Sequence, residues 1–188
     1  LVAGKVMVTR HVYSMTPPEK RGGLKSVAAI SPGVLGLTGI ETAEVILGVV
    51  GRVRPNLVIV VDALAARSVS RLGTTIQLGD TGIQPGSGVG NRRFGITRET
   101  LGVPVIAVGV PTVVHAMTIV ADALNIMGQA SQGTSPESPG TPRGVQEITG
   151  DPQLPPAVSQ MLQPYLGTLI ITPKEVDVLA KELSDVVA

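Results

Sequence analysis

The sequence predicts an α/β fold, a three-layer domain with a largely parallel sheet and helices on both faces. Short β-branched runs alternate along the chain with stretches of helical periodicity. Most of those runs are apolar throughout, as strands covered on both faces are. The candidate helices open on capping signals. Alternation of this kind builds a layered sheet with right-handed crossovers. With 188 residues, 43% of them hydrophobic, the chain has material for one domain, residues 1–188, with a substantial core.

Taken in order, Thr16 to Gly23 (TPPEKRGG) reads as a loop and Ser26 to Ile30 as the first strand. Thr38-Gly39-Ile40-Glu41 matches the capping box, in which a Thr oxygen and a Glu carboxylate satisfy the orphan N–H groups of a first turn. Val45, Ile46 and Val49 follow at helical spacing. Leu57 to Val61 is the greasiest strand; Ala63 to Leu72 has the composition of a helix after it. Thr74 to Leu78 and Val105 to Val110 are further strands, and Val113 to Ile126 reads as a helix. Gly128 to Pro156 (128–156) is rich in Ser, Pro, Gly and Thr and poor in large apolar residues, so it is expected to be a mobile surface insertion. Thr168 to Ile171 is the last strand. Thr172-Pro173-Lys174-Glu175 is a second capping box, followed by Val176, Leu179 and Leu183 on one face.

Composition narrows the function classes. A net charge of +1 supplies no strong pull on a phosphate backbone, so no nucleic-acid partner is expected. Cysteine is absent, which removes disulfides, thiolate nucleophiles and thiolate metal sites and fits a reducing cytoplasm. The apolar runs fall far short of the roughly 18 residues that cross a bilayer, so no membrane partner is expected, and the reading is a soluble intracellular protein. The chain opens on Leu1 rather than Met, which suggests a fragment or a processed product.

Asp62 is the first candidate site residue. In LVIVVDALAAR it stands at the carboxyl end of a buried strand, where open α/β sheets gather their ligands. Asp is also a good helix N-cap, and residue chemistry alone leaves cap and site open. Leu78 to Gly95 (LGDTGIQPGSGVGNRRFG) is a second candidate. It lacks both the Lys-Ser/Thr pair of a P-loop and the third Gly of a dinucleotide fingerprint. Its glycines allow close approach to another main chain, so Gly86, Ser87 and Gly88 are candidate substrate-binding residues; a plain turn is the alternative. Asp80 reads as a turn residue before Thr-Gly, with a second carboxylate as the other reading. His115 reads as a core or edge histidine on an apolar helix, and His11 has nothing at metal-ligand spacing around it. Ser31 and Ser87 have no neighbouring base in sequence. Arg67 and Arg71 would share one helix face, as solvated surface or as a grip on an acidic substrate. No metal and no cofactor is called for. Beside a catalytic reading stands that of a non-catalytic α/β module binding a peptide or an anion through the Gly86 to Gly90 loop.

Longer blocks carry a resemblance. LVIVVDALAARSVSRLGTTIQLGDTGIQPGSGVGNRR, then ETLGVPVIAVGVPTVVHAMTIVAD, together with VTRH (Val8 to His11), SPGVLGLTGIET (Ser31 to Thr42) and ITPKEVD (Ile171 to Asp177), resembles the germination proteases of spore-forming bacteria. That resemblance implies an endopeptidase that degrades small acid-soluble spore proteins during germination. It also implies a fold distantly similar to hydrogenase maturation endopeptidases, a zymogen form, a homo-tetramer and action in the spore-core cytoplasm. The mechanism it implies is an atypical aspartic-type one with two aspartates, of which Asp62 matches the second. Two carboxylates can divide the acid and base roles that one cannot. The partner Asp, like the propeptide, is expected upstream of Leu1; within the chain, Asp80 or Glu41 would have to substitute. His115 stands where the family pattern has Asp, and the composition of 128–156 also departs from that pattern.

Overall fold

The computed structural model describes residues 1–84, 94–131 and 154–188. Among these, four strands form one sheet: β1 (Val58–Ala66), β2 (Gln77–Gly79), β3 (Val105–His115) and β4 (Ile170–Ile171). The order is β1-β3-β2, with β4 paired to the far end of β3. The long pairing, β1 with β3 from Val58↔Val105 to Ala66↔Val114, is parallel. The short pairings of β2 and β4 with β3 are antiparallel. The helices are α1 (Arg10–Met15), α2 (Leu35–Thr38), α3 (Thr42–Val53), α4 (Arg98–Leu101), α5 (Ala116–Ser131), α6 (Pro156–Leu166) and α7 (Val176–Val187). The α/β class read from the sequence is the observed one.

One face of the sheet makes the core. Ala43 of α3, Leu101 of α4, Ile83 and Ile96 are buried with Val105 and Ala107 of β3, and Val58, Val60 and Leu64 of β1 pack against them. Side chains alternate across a strand, so these belong to one face of β1 and β3. The opposite face is different. Ile59 is 61% exposed, its register partner Ile106 37% and Leu78 of β2 74%. On that same face Val108 and Val110 of β3 are each 8% exposed, so the central strand is buried on both faces as expected, whereas β1 and β2 are not.

Several elements differ from the sequence reading for identifiable reasons. Ser26 to Ile30 forms no strand: Val27 O accepts the N–H groups of Thr9 and Arg10, and Val27 N–H donates to Thr9 Oγ1 at 3.0 Å, so the segment is tied to the start of α1. Ala63 to Leu72 forms no helix. Ala63 to Ala66 extends β1 in register with β3, a tertiary pairing that overrides the helix propensity of alanine. A 3-10 turn over Val69–Arg71 follows, so Arg67 and Arg71 share no helix face. β3 likewise runs on through Thr112, Val113 and Val114, and the helix starts only at Ala116. A register shift opposite Leu64/Ala65 bulges β3 there. Pro111 O accepts from Gly73 N at 2.7 Å, and Thr112 O from Thr172 Oγ1 at 2.9 Å.

Both predicted capping boxes are corrected. Thr38 ends α2, with Gly39 left-handed at φ 68° behind it. The N-cap of α3 is Glu41, whose N–H donates to the Glu44 carboxylate at 3.3 Å. Thr172 is committed to Thr112, and α7 begins at Val176 with Glu175 as N-cap. Of the expected insertion 128–156, residues 132–153 lie outside the described residues; Gly128 belongs to α5 and Pro156 opens α6. Lys5 pairs with Asp185 of α7 and donates to Lys181 O at 3.2 Å, which joins the start of the chain to its last helix. No helix among the described residues is long and apolar enough to cross a membrane.

Candidate active site

Asp62 lies within β1 rather than after it, four residues before the strand ends. The N-cap reading is excluded, because no helix follows. Its main chain is held in the ladder opposite Gly109, and its side chain is half-buried. The carboxylate bends back on its own strand: Ala63 N–H donates to Asp62 Oδ1 at 2.9 Å.

The ground beside it is made by small residues. Gly109 has no side chain, and Leu64, two residues beyond Asp62 on the same face, turns its methyl groups into the place a β-carbon at 109 would take. Gln77 of β2 is the next residue in the row, paired with Gly109 on the far side from Asp62. The glycine-dense loop is anchored at both ends by an antiparallel bridge between Ile83 and Ile96. Ile96 is 1% exposed, so that anchor belongs to the core. Gly82 precedes it at φ 84°, where a β-carbon would strike the Ile96 carbonyl. Residues 85–93, and with them the candidates Gly86, Ser87 and Gly88, lie outside the described residues.

The other candidate carboxylates belong to other elements. Asp80 follows β2, which runs antiparallel to β3 with Gly79 opposite Ala107 and Gln77 opposite Gly109. It is therefore two strands and three residues from Asp62, roughly 14 Å by ideal sheet spacing. Asp80 is exposed at the bend that follows β2. Glu41 is the N-cap residue of α3. His115 is the last residue of β3, paired with Ile170, and not a helix residue. It lines an open cavity of about 450 Å³ with Met117, Thr118, Ser159 and Gln163. That cavity is separate from Asp62, six residues back along the sheet by register. Among the described residues no group of three or more His, Cys, Asp or Glu is placed to share a metal ion.

Sequence reasoning passed over Asp122. From α5 its carboxylate accepts the N–H of Val69 at 2.7 Å and so caps the 3-10 turn that follows β1. Nothing local marks it, because its partner is 53 residues away. Chemically, the site offers a half-buried carboxylate with one oxygen already engaged by a main-chain N–H, on a strand fixed from one side by a long parallel pairing. Such a group can take up or give a proton at a defined place.

The sequence profile of a family described as germination protease matches residues 1–135. The chain is 50% identical over 188 residues to the germination protease of Caldanaerobacter subterraneus subsp. tengcongensis, covering 100% of this chain and 57% of that protein. It is 46% identical over 187 residues to that of Clostridium acetobutylicum, again 100% of the chain and 57% of the relative. With the Clostridium tetani protein the identity is 42% over 187 residues, 100% and 58%. The chain thus spans less than two thirds of the length of these relatives.

Proposed function

The chain belongs to the germination protease family, and on that premise we propose that it acts in an endopeptidase that degrades small acid-soluble spore proteins as spores germinate. The observation that carries the reading to a residue is Asp62: the matched family region includes it, and its carboxylate reaches Ala63 N–H at 2.9 Å. The mechanism is of aspartic type, with Asp62 as one of two carboxylates. The ionised one takes a proton from water, whose oxygen adds to the scissile carbonyl carbon. The protonated one gives its proton to the leaving amine as the C–N bond breaks.

Asp80 has a position that does not favour it as the second acid, since it lies two strands from Asp62 by register, and Glu41 is the N-cap of α3. The family resemblance also supports a homo-tetramer working in the spore-core cytoplasm, which sedimentation of the purified protein tests.

The deciding experiment mixes the full-length protein with a purified small acid-soluble spore protein near neutral pH and follows the products by mass spectrometry. Asp62→Asn lowers the cleavage rate by at least about a thousandfold, as loss of a catalytic carboxylate does. Glu41→Gln and Asp80→Asn leave it within about threefold of the parent. A rate unchanged by Asp62→Asn would sink the assignment.

A further inference from the structure

The row that crosses the sheet at the candidate acid is Asp62, Gly109 and Gln77, one residue each from β1, β3 and β2. We propose that Gln77 is a substrate-binding residue, whose carboxamide holds the main chain of the peptide beside the bond to be cut. The inference rests on the peptidase reading above and deepens it by assigning the side chain across the row from the acid.

Register partners place their side chains on the same face of a sheet, so Asp62 and Gln77 share a face although their strands do not pair with each other. That face carries Val58, Val60 and Leu64 of β1 and Val105 and Ala107 of β3. A half-buried glutamine among them is out of pattern. Its neighbour Leu78 stands on the other face and is 74% exposed, so β2 turns its amide to the core side and its leucine away. Sliding β2 by one residue along β3 would exchange the two and restore the ordinary apolar-in arrangement. The chain holds the other register from both ends. Before β2, Gly73 N–H donates to Pro111 O at 2.7 Å; after it, Ile83 bridges to the buried Ile96. Breaks of the local pattern that the surrounding structure maintains concentrate at functional sites.

Gly109 sets the space between the two side chains. Two strand spacings put the α-carbons of Asp62 and Gln77 roughly 10 Å apart. No side chain rises from 109 between them, and the methyl groups of Leu64 fill the place of its β-carbon as an apolar floor. An extended peptide group over that floor lies between the carboxylate and the carboxamide. The carboxamide supplies one acceptor oxygen and two N–H donors, the complement of a peptide N–H and C=O, and brings no charge near the acid. Asp62 is thereby left to the reacting bond while Gln77 holds the chain beside it.

The test uses the full-length protein and synthetic peptides that span a small acid-soluble spore protein. Gln77→Met keeps the length of the side chain and removes its hydrogen-bonding groups. It raises KM about tenfold with kcat within about threefold of the parent, as loss of binding without loss of chemistry does. Leu78→Ala, on the other face of the same strand, leaves KM and kcat within about threefold. Calorimetry on Asp62→Asn protein reads binding without turnover, and adding Gln77→Met there weakens the peptide about tenfold. Unchanged KM and affinity in Gln77→Met, a loss confined to kcat, or an equal rise in KM from Leu78→Ala would overturn the proposal; the last would show a disturbed strand instead of a lost contact. Cleavage that does not depend on Gln77 removes this residue and leaves the peptidase reading. Peptide binding that depends on Gln77 in a protein that does not cut does the reverse, and absence of both binding and cutting removes both.

Discussion

Leu64 of β1 folds its side chain over Gly109 of β3, occupying the space that a β-carbon there would need. Gly109 is the register partner of Asp62, so the same contact fills the sheet face on one side of the candidate acid. The glycine is there for packing: a larger residue would expel Leu64 from a face it shares with Val58 and Val60.

Gly109→Ala is therefore expected to destabilise the fold by about 1–3 kcal/mol, the cost of overpacking a close contact. Urea unfolding reads it as a lower midpoint at unchanged slope. Leu64→Ala in the same chain recovers part of the loss, because the two changes share one contact and are not additive. Equal losses in the presence and absence of Leu64 would show that the contact is not the cause.

Gly82 is a stricter case. At φ 84° with the Ile96 carbonyl in the way, Gly82→Ala meets both backbone strain and backbone overlap. A loss of at least about 2 kcal/mol follows, or roughly 4–8 °C in Tm for a domain of this size. Gly102 is also left-handed, at φ 70°, but nothing lies near its absent β-carbon. Gly102→Ala should cost about half as much, and the difference between the two melting curves measures the Ile96 overlap.

Thr97 caps the short helix that carries the core residue Leu101. Its Oγ1 accepts from Thr100 N–H at 3.3 Å, and its own N–H donates to Thr100 Oγ1 at 2.9 Å. Its hydroxyl is also the main cause that holds the exposed Glu99 carboxyl below the usual carboxylate range, with the Glu99 main-chain N–H and Arg98 adding to it. Thr97→Ala should cost about 1 kcal/mol through the cap. It should also raise the Glu99 midpoint in a carboxyl NMR titration. A carboxyl whose folded pKa is depressed contributes stability above its unfolded pKa and loses it as pH falls through the folded value. The variant's deficit relative to the parent is thus largest near neutrality and narrows in acid. A Glu99 midpoint that does not move would separate the cap from the titration.

Legibility followed locality. Val58 to Val61 and Val105 to Val110 were readable as strands because a run of β-branched residues needs no distant partner to declare itself. Ala63 to Ala66 was not: alanine favours helix locally, and only the register with Pro111, Val113 and Val114 makes it strand. Ser26 to Ile30 failed in the opposite sense, since its β-like residues give their hydrogen bonds to Thr9 and Arg10. At the site, Asp62 stood out as one acid in an apolar run. Its engagement with Ala63 N–H, and the filling of Gly109 by Leu64, follow from pairing across strands and left no local mark.

Asp122 shows what such long-range capping contributes. Its carboxylate takes the N–H of Val69, the first residue of the turn that leads away from β1, across 53 residues of chain. A main-chain N–H bonded to a charged acceptor contributes about 1.5–3 kcal/mol. Asp122→Ala removes the acceptor and should lower stability by about that amount, with faster amide exchange at Val69 as the local sign. Asp122→Asn keeps an oxygen in place without the charge, so it should retain about half of the stability and most of the Val69 protection. If both substitutions release Val69 equally, the carboxylate acts through charge and not as a hydrogen-bond acceptor. If neither does, the turn is held by Ser68 and Ser70, whose hydroxyls lie 3.0 Å apart beside it.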